Sequence, residues 1–404
     1  MKIAIIGGGI GALTTAFCLS KKNQKVFLFE KEKRLGGLAS GLKEKNWQWH
    51  LDCLFHHLFT SDKEAISLIE EIGLKNSLFF SRPKTAIFYE GKISQFDSPL
   101  SLLTFPHLNF VEKIRAGLVT FYLKLNNNWQ NLEKIEATKW LEKFYGKRNY
   151  QILWEPLLKG KFGAQAEKIS MAWFWARIKK RSTKLGYLKG GFQVLINTLE
   201  KEIKKNGGKI FLNQEIKSLK ELSDFQKIII TAPTEKFFPG KFPSMLGAIN
   251  LILILKKRFL TDGTYWLNIN EKNFPFVAVV EHTNFIDSKY YGGNHILYVG
   301  GYYPQNHRYF KMNEPQIFKE FAPFLKKINP IFNFDSSILN LKLTKNLFAQ
   351  PIVPVNYSLI LKKAKKSLPK NIYLANMQTI YPYDRGVNYA IAQAKKVTQE
   401  VLAE

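Results

Sequence analysis

The sequence predicts an α/β fold that opens on a strand, a glycine turn, a helix and a second strand. Three observations predict it. Lys2 to Phe17 reads KIAIIGGGIGALTTAF, a short apolar run followed by four glycines in five positions and then apolar residues at helical spacing. Lys25 to Glu30 reads KVFLFE, a second short strand that ends on an acid. Two more short apolar runs, KIIITAP (Lys227 to Pro233) and NIYLAN (from Asn371), extend the same strand pattern far downstream.

Each element has a physical reason. Ile3 to Ile6 is apolar, partly β-branched and too short for a helix, which reads as a buried strand. Leu13, Ala16, Phe17 and Leu19 recur as one face of a helix does. Between them lie Gly7, Gly8, Gly9, Ile10, Gly11 and Ala12. Gly7 allows a tight turn, Gly9 leaves room for a pyrophosphate against the backbone, and Ala12 takes the close-packing position where Gly or Ala is allowed. The helix start then offers unpaired N–H groups and a positive dipole end to the phosphates. Glu30 stands where an acid can accept hydrogen bonds from an adenosine ribose. A glycine-rich turn without ligand is the plain alternative, and up to this point NAD and FAD fit equally well.

The next residues, Lys31 to Ser40, read KEKRLGGLAS. A second glycine pair, Gly36 and Gly37, follows soon after the acid, with Arg34 ahead of it and Leu38 behind. FAD is long and lies extended, so a second close backbone approach suits it better than NAD. Here the chain resembles the flavin amine oxidase superfamily, which includes protoporphyrinogen oxidases and phytoene desaturases. The resemblance implies that Glu30, with Lys31 beside it, holds the adenosine ribose, that Arg34 lies near the diphosphate and ribitol, and that Gly36, Gly37 and Leu38 pass close to the flavin side.

The likeness continues to the C-terminal end. GYLKGGFQVLINTLEKEIKKNGGKIFLNQEI, Gly186 to Ile216, is similar to the family's return to the cofactor domain, with a glycine pair, an amphipathic helix and an Asn-Gly stop. The resemblance implies that backbone near Ile216 meets the adenine. NIYLANMQTIYPYDRGVNYAIAQAKKVTQEVL, Asn371 to Leu402, is similar to the last cofactor motif. There Asp384, Arg385, Gly386, Asn388 and Tyr389 would lie by the flavin, with the helix N-terminus stabilising negative charge on the reduced ring. The implied fold is a Rossmann-type, glutathione-reductase-like FAD-binding domain with an inserted α+β substrate domain. Residues 1–80, 186–245 and 350–404 would form the first, and 81–185 and 246–349 the second. In the first insertion Val111, Ile114, Leu118, Phe121 and Leu125 share a helical face; the second is mostly strand-like.

At 404 residues the chain can bury a large core. No apolar run reaches 18 residues and no signal peptide precedes the first strand, so a cytoplasmic protein is expected. Cys18 and Cys53 are the only cysteines, which excludes a disulfide framework and, with none in the C-terminal loop, points to noncovalent FAD. The formal charge is +28, carried by 51 lysines and only 9 arginines. So lopsided a ratio fits the coding bias of an AT-rich genome; the charge also suits peripheral contact with the inner face of an anionic membrane. Nucleic acid is not expected as a partner, and the oligomeric state stays open. The sharpest basic cluster is RIKKRSTK, Arg177 to Lys184, either a solvated helix end or an anion-binding edge.

A flavin enzyme needs few catalytic side chains, because the ring accepts the hydride and the protein supplies position and electrostatics. No metal-binding pattern is present. His56 and His57, in DCLFHHLF, could act as acid or base or position a small-molecule substrate; a packed histidine pair is the alternative. Glu155, in WEPLLKGKFG, is a further candidate, with a structural pairing to a lysine as the alternative. His282 reads as a satisfied core histidine or a substrate contact. Two reactions follow from the resemblance: hydride transfer from a substrate C–H or C–N bond, or a flavin-dependent isomerisation like that of UDP-galactopyranose mutase or carotenoid isomerases.

Overall fold

The computed structural model describes residues 1–403. In chain order the elements that position the site are β1 (Lys2–Ile6), α1 (Ile10–Ser20), β2 (Lys25–Phe29), α2 (Lys63–Glu71), β3 (Lys84–Tyr89), β4 (Lys92–Gln95), α3 (Phe110–Leu125), α4 (Glu155–Phe162), α5 (Met171–Lys180), α6 (Gln193–Lys205), β5 (Lys209–Phe211), β6 (Lys227–Ile230), β7 (Met245–Leu255), β8 (Thr264–Ile269), β9 (Ala278–Glu281), β10 (His295–Tyr303), β11 (Ile338–Pro351), β12 (Ile372–Leu374) and α7 (Val387–Ala403).

Five strands form an all-parallel sheet in the order β5-β2-β1-β6-β12. Its members come from three distant stretches of chain. β1 reads as a continuous apolar run because it has a neighbour on each side and is covered on both faces. α1 is buried along almost its whole length, packed against α6 and α7. Such a sheet binds ligands outside the carboxyl ends of its strands, and those ends carry Gly7, Glu30 and Thr231.

A second sheet of seven strands runs β11-β7-β10-β9-β8-β3-β4, antiparallel throughout except where β8 meets β3. Its strand β7, MLGAINLILIL, lies between β11 and β10 and is buried at every position. Ile252, Ile254, Val280 and Tyr298 of this sheet share one apolar cluster with α1 and α6. The two sheets are therefore packed on a common core, and Asn250 of β7 donates to the carbonyl of Cys53 at 3.0 Å.

The helical spacing in 111–125 is real, and its direction is informative. α3 starts on an Asn109–Glu112 capping box and buries Ala116 and Leu123. Its longer apolar stripe faces outward: Phe110, Val111, Leu118, Phe121 and Leu125 are each at least 60% exposed. In the helix Ala137–Tyr145, by contrast, Trp140, Leu141 and Tyr145 are buried, while Phe144 is exposed. No helix among the described residues is long and apolar enough to cross a membrane.

Candidate active site

The two glycine loops touch. Gly36 donates its N–H to the Gly8 carbonyl at 2.8 Å, and Gly9 and Gly36 form a parallel bridge. A Cβ on Gly37 would lie 3.3 Å from the Gly9 Cα, and Gly36 and Gly37 both have positive φ. Here glycine is demanded by backbone crowding as well as by conformation. Gly8 brings its backbone against Glu30, whose Oε2 a Cβ would meet at 2.7 Å. Glu30 is buried, and its other oxygen accepts the N–H of Glu32 at 2.8 Å. Lys31 beside it is exposed and pairs with Glu32 at 3.6 Å.

Gly9 is different. Its backbone is extended, and a Cβ built there meets nothing within 4 Å. The N–H of Leu13 already reaches the Gly9 carbonyl, which leaves the N–H groups of Ile10, Gly11 and Ala12 without intrahelical acceptors. No side chain caps this helix and no acid sits in its first turn. An open cradle at a bare helix N-terminus fits a diphosphate. Gly11 instead packs against the Ala375 carbonyl, where a Cβ would sit 3.3 Å away. Arg34 reaches the Gly41 carbonyl at 3.4 Å and the Cys53 sulfur at 3.6 Å. Leu38 lies in the short turn Gly37–Ala39. Ile216 is buried in the apolar cluster that also holds Phe29 and Ile228.

Beyond β12, Gly386 precedes α7, and a Cβ there also meets nothing within 4 Å. Asn388 turns its side chain away to accept from the Ala65 N–H at 3.0 Å, tying α7 to α2. Tyr389 stacks on Tyr383 with ring centroids 4.7 Å apart. The residues present fit FAD at the backbone cradle that Gly8, Gly9, Gly36 and Gly37 form at the start of α1, while Gly386 stands in open space at the start of α7.

His56 and His57 are only partly buried at their surfaces, yet deep in the protein. Burial lowers His56 to about 4, helped by Arg385, although a 2.6 Å contact from its Nδ1 to the Leu54 carbonyl opposes the shift. Burial lowers His57 to about 3, reinforced by Arg181, His56 and Arg177. Both rings are therefore neutral at pH 7, available for hydrogen bonding and ill suited to donating a proton. The Nδ1 of His57 is buried without a hydrogen-bond partner.

Asp384 and Arg385 reach distant stretches of the chain. Asp384 accepts from Arg177 at 2.7 Å and from Trp173 Nε1 at 3.0 Å, with Lys161 at 3.6 Å. Burial alone would raise this carboxyl, but Lys161, Arg177 and Arg385 together hold it far below its usual range. Arg385 donates to Gln350 at 2.9 Å and to the Tyr302 hydroxyl. Glu155 is not part of this group: it pairs with Lys159 one turn along α4 at 2.6 Å, the structural pairing that was its alternative reading. His282 is likewise a core histidine, bonded through Nε2 to the Tyr291 hydroxyl at 2.8 Å.

One buried acid has no signal in the sequence beyond standing at the head of the DCLFHHLF segment. Asp52 accepts from the Tyr187 hydroxyl at 2.8 Å and from the Phe192 N–H at 3.1 Å, while its own carbonyl accepts from Tyr298 at 2.7 Å. It fastens the histidine segment to the Gly190–Gly191 turn and to β10. Burial pushes its carboxyl up to about 7.

Comparison with known proteins agrees with this geometry. The family described as flavin containing amine oxidoreductase matches residues 13–241. An uncharacterised protein of Methanocaldococcus jannaschii is 26% identical over 219 residues, 54% of this chain and 53% of that protein. Protoporphyrinogen oxidase 2 of Arabidopsis thaliana is 23% identical over 42% of this chain and 34% of its own length. The chain thus spans between a third and about half of these relatives. A crystal structure of reduced UDP-galactopyranose mutase shares the fold over 100% of this chain and 94% of its own, with a TM-score of 0.76 at 15% identity. With more than half of its length matched by the family profile, the chain belongs to the flavin-containing amine oxidoreductase family.

Proposed function

We propose that this protein is an FAD-dependent oxidoreductase that takes hydride from a substrate C–H or C–N bond. The observation that carries the reading is the pair of abutting glycine loops at the open N-terminus of α1. Residues 1–80, 186–245 and 350–404 would hold the cofactor, with residues 81–185 and 246–349 over it. Bound FAD supplies a two-electron acceptor. The chain's own part is to hold it: Ile10, Gly11 and Ala12 offer N–H groups to the diphosphate, and Glu30 accepts from the ribose. The N-terminus of α7 favours negative charge on the ring. His56 and His57, neutral and desolvated, orient the substrate and keep water out.

Electron bookkeeping tests this reading. The holoenzyme is mixed anaerobically with lipid, porphyrinogen and amine candidates, and flavin absorbance is followed. Bleaching with one equivalent of oxidised product supports the oxidoreductase. Turnover only after prior reduction of the flavin, with no net electron consumption, would assign the isomerase instead. The shared fold with UDP-galactopyranose mutase is what favours that second reading.

The outward stripe of α3 supports peripheral contact with an anionic bilayer, from which an apolar substrate would enter. Leu100 and Leu103 extend the stripe, and Lys113 and Arg115 lie on the same helix in a chain of formal charge +28. Large apolar side chains beside basic ones suit an anionic interface. α3 is also tied to α5, since Lys179 donates to the Lys124 carbonyl at 2.6 Å and Lys124 to the Arg181 carbonyl at 2.5 Å. Replacing Phe110, Leu118 and Phe121 together by Asp is expected to weaken binding to phosphatidylglycerol vesicles by roughly tenfold or more. Thermal stability should be unchanged, because these side chains already face solvent. Vesicle flotation measures the effect; equal binding by the variant would remove the membrane from the account.

A further inference from the structure

We propose that Arg177 is a positioning residue for the flavin: by pairing with Asp384 it keeps an acid off the start of α7, so that this helix end favours negative charge on the reduced ring. The inference rests on the reading of the N-terminus of α7 as the neighbour of that ring.

The start of α7 is bare and lies beside the start of α1. Ala390 donates to the Gly386 carbonyl at 3.0 Å, which leaves the N–H groups of Val387, Asn388 and Tyr389 without intrahelical acceptors. No acid stands in that first turn. A Cβ on Gly11 would lie 3.7 Å from the Ala390 carbonyl and 3.9 Å from the Ala390 Cβ. The first turns of the two helices are therefore neighbours, and the missing side chain of Gly11 is what lets them approach.

One acid stands just ahead of this helix end. Asp384 is two residues before Gly386, and a carboxylate there is attracted to the positive end of the helix. Its side chain is bound elsewhere. Oδ2 accepts from Arg177 Nη1 at 2.7 Å, and Oδ1 accepts from Trp173 Nε1 and from the Arg385 N–H, each at 3.0 Å. Among the described residues, neither oxygen accepts from an N–H of α7. Trp173 and Arg177 stand one turn apart on α5, so both meet the same carboxylate. The Arg177 guanidinium also lies 5.1 Å from the Trp173 ring. The side chains of the pair are only 17% and 16% exposed, so salt screens their attraction much less than it would at the surface.

The charge that answers Asp384 most closely is that of Arg177. Lys161 stands 3.6 Å from Oδ2, too far for a hydrogen bond, and burial lowers its amine well below the ordinary value. Arg385 directs its guanidinium to Gln350 and Tyr302 and gives Asp384 only its backbone N–H. Removing the charge of Arg177 therefore frees a negative charge next to the start of α7, where it opposes the electron-rich reduced ring. Removing the charge of Asp384 acts with the opposite sign.

The midpoint potential of the bound FAD tests the proposal, read on the holoenzyme by equilibration with a reference dye and without any substrate. FAD content is measured on each preparation by denaturation. In Arg177→Met, reduced FAD is expected to bind tenfold or more weakly relative to oxidised FAD, a shift of about 30 mV to more negative potential. Trp173→Phe removes one bond to the carboxylate and no charge, and should shift the potential the same way by less. Asp384→Asn should shift it to more positive values. Arg177→Met/Asp384→Asn should return it most of the way to the wild-type value. The exposed, remote Lys326→Gln should leave it unchanged. Breaking a partly buried pair is costly; if Arg177→Met does not fold, Asp384→Asn compared with the double variant reads the same charge. FAD-loaded variants whose potential does not move, or a double variant that does not recover, overturn the proposal and leave the cofactor reading standing. Wild-type protein that cannot be loaded with FAD overturns the cofactor reading and the proposal with it.

Discussion

Gly9→Val is expected to give a folded protein that has lost its flavin. Gly9 already has an extended backbone that valine adopts freely, and a Cβ there meets no protein atom within 4 Å. The new side chain therefore costs the apoprotein little and projects into the space where the diphosphate passes the backbone. FAD affinity should fall by roughly a hundredfold or more, equivalent to about 2.7 kcal/mol. Gly7→Ala is the contrasting case. Gly7 has φ +111°, and its Cβ would stand 2.5 Å from the Thr231 hydroxyl. That change should destabilise the fold itself by roughly 1–3 kcal/mol. Thermal denaturation of both apoproteins beside FAD titration separates the two effects. A Gly9→Val protein that retains FAD would move the diphosphate elsewhere.

The second large effect concerns pH. Burial raises Asp52 from the usual 3.8 to about 7. Between those values the native protein binds a proton that the unfolded chain has released. The stability linked to this group is thus fully present below about pH 4 and is lost as pH rises through 7. At full ionisation the loss amounts to roughly 4 kcal/mol. Asp52→Asn mimics the protonated acid. Its amide oxygen can accept from Phe192 and its amide nitrogen can donate to the Tyr187 oxygen. The variant should match the wild type near pH 3.5 and exceed it by several kcal/mol at pH 8. Chemical denaturation at the two pH values measures this. Some slope should remain in the variant, because burial raises Glu281 to about 7 as well. A variant less stable than wild type at pH 8 would mean that the Asp52 charge is held by more than its two bonds.

What could be read from the sequence follows from what kind of constraint each residue obeys. Gly7, Gly9, Gly36 and Gly37 are legible because only a residue without a side chain meets a local backbone demand, and that demand is written within a few positions. Lys25 to Glu30 is legible for the same reason, as a short apolar strand with its acid at the end. Asp52 is not, because its partners Tyr187 and Phe192 lie 135 and 140 residues away. Lys161 stood in a quoted motif but could not be ranked above Lys159: one pairs locally with Glu155, and the other crosses to Asp384 only once the chain is folded. Periodicity found the apolar stripe of α3 and could not tell its direction, since the same spacing describes a helix that faces a core or one that faces a membrane.

FAD is expected to lie across the two glycine loops, and the visible spectrum of the purified wild-type protein tests this most directly. The predicted result is an oxidised flavin spectrum, with FAD released intact on denaturation and absent from Gly9→Val prepared in the same way. A colourless wild-type protein that cannot be reconstituted with FAD would contradict it.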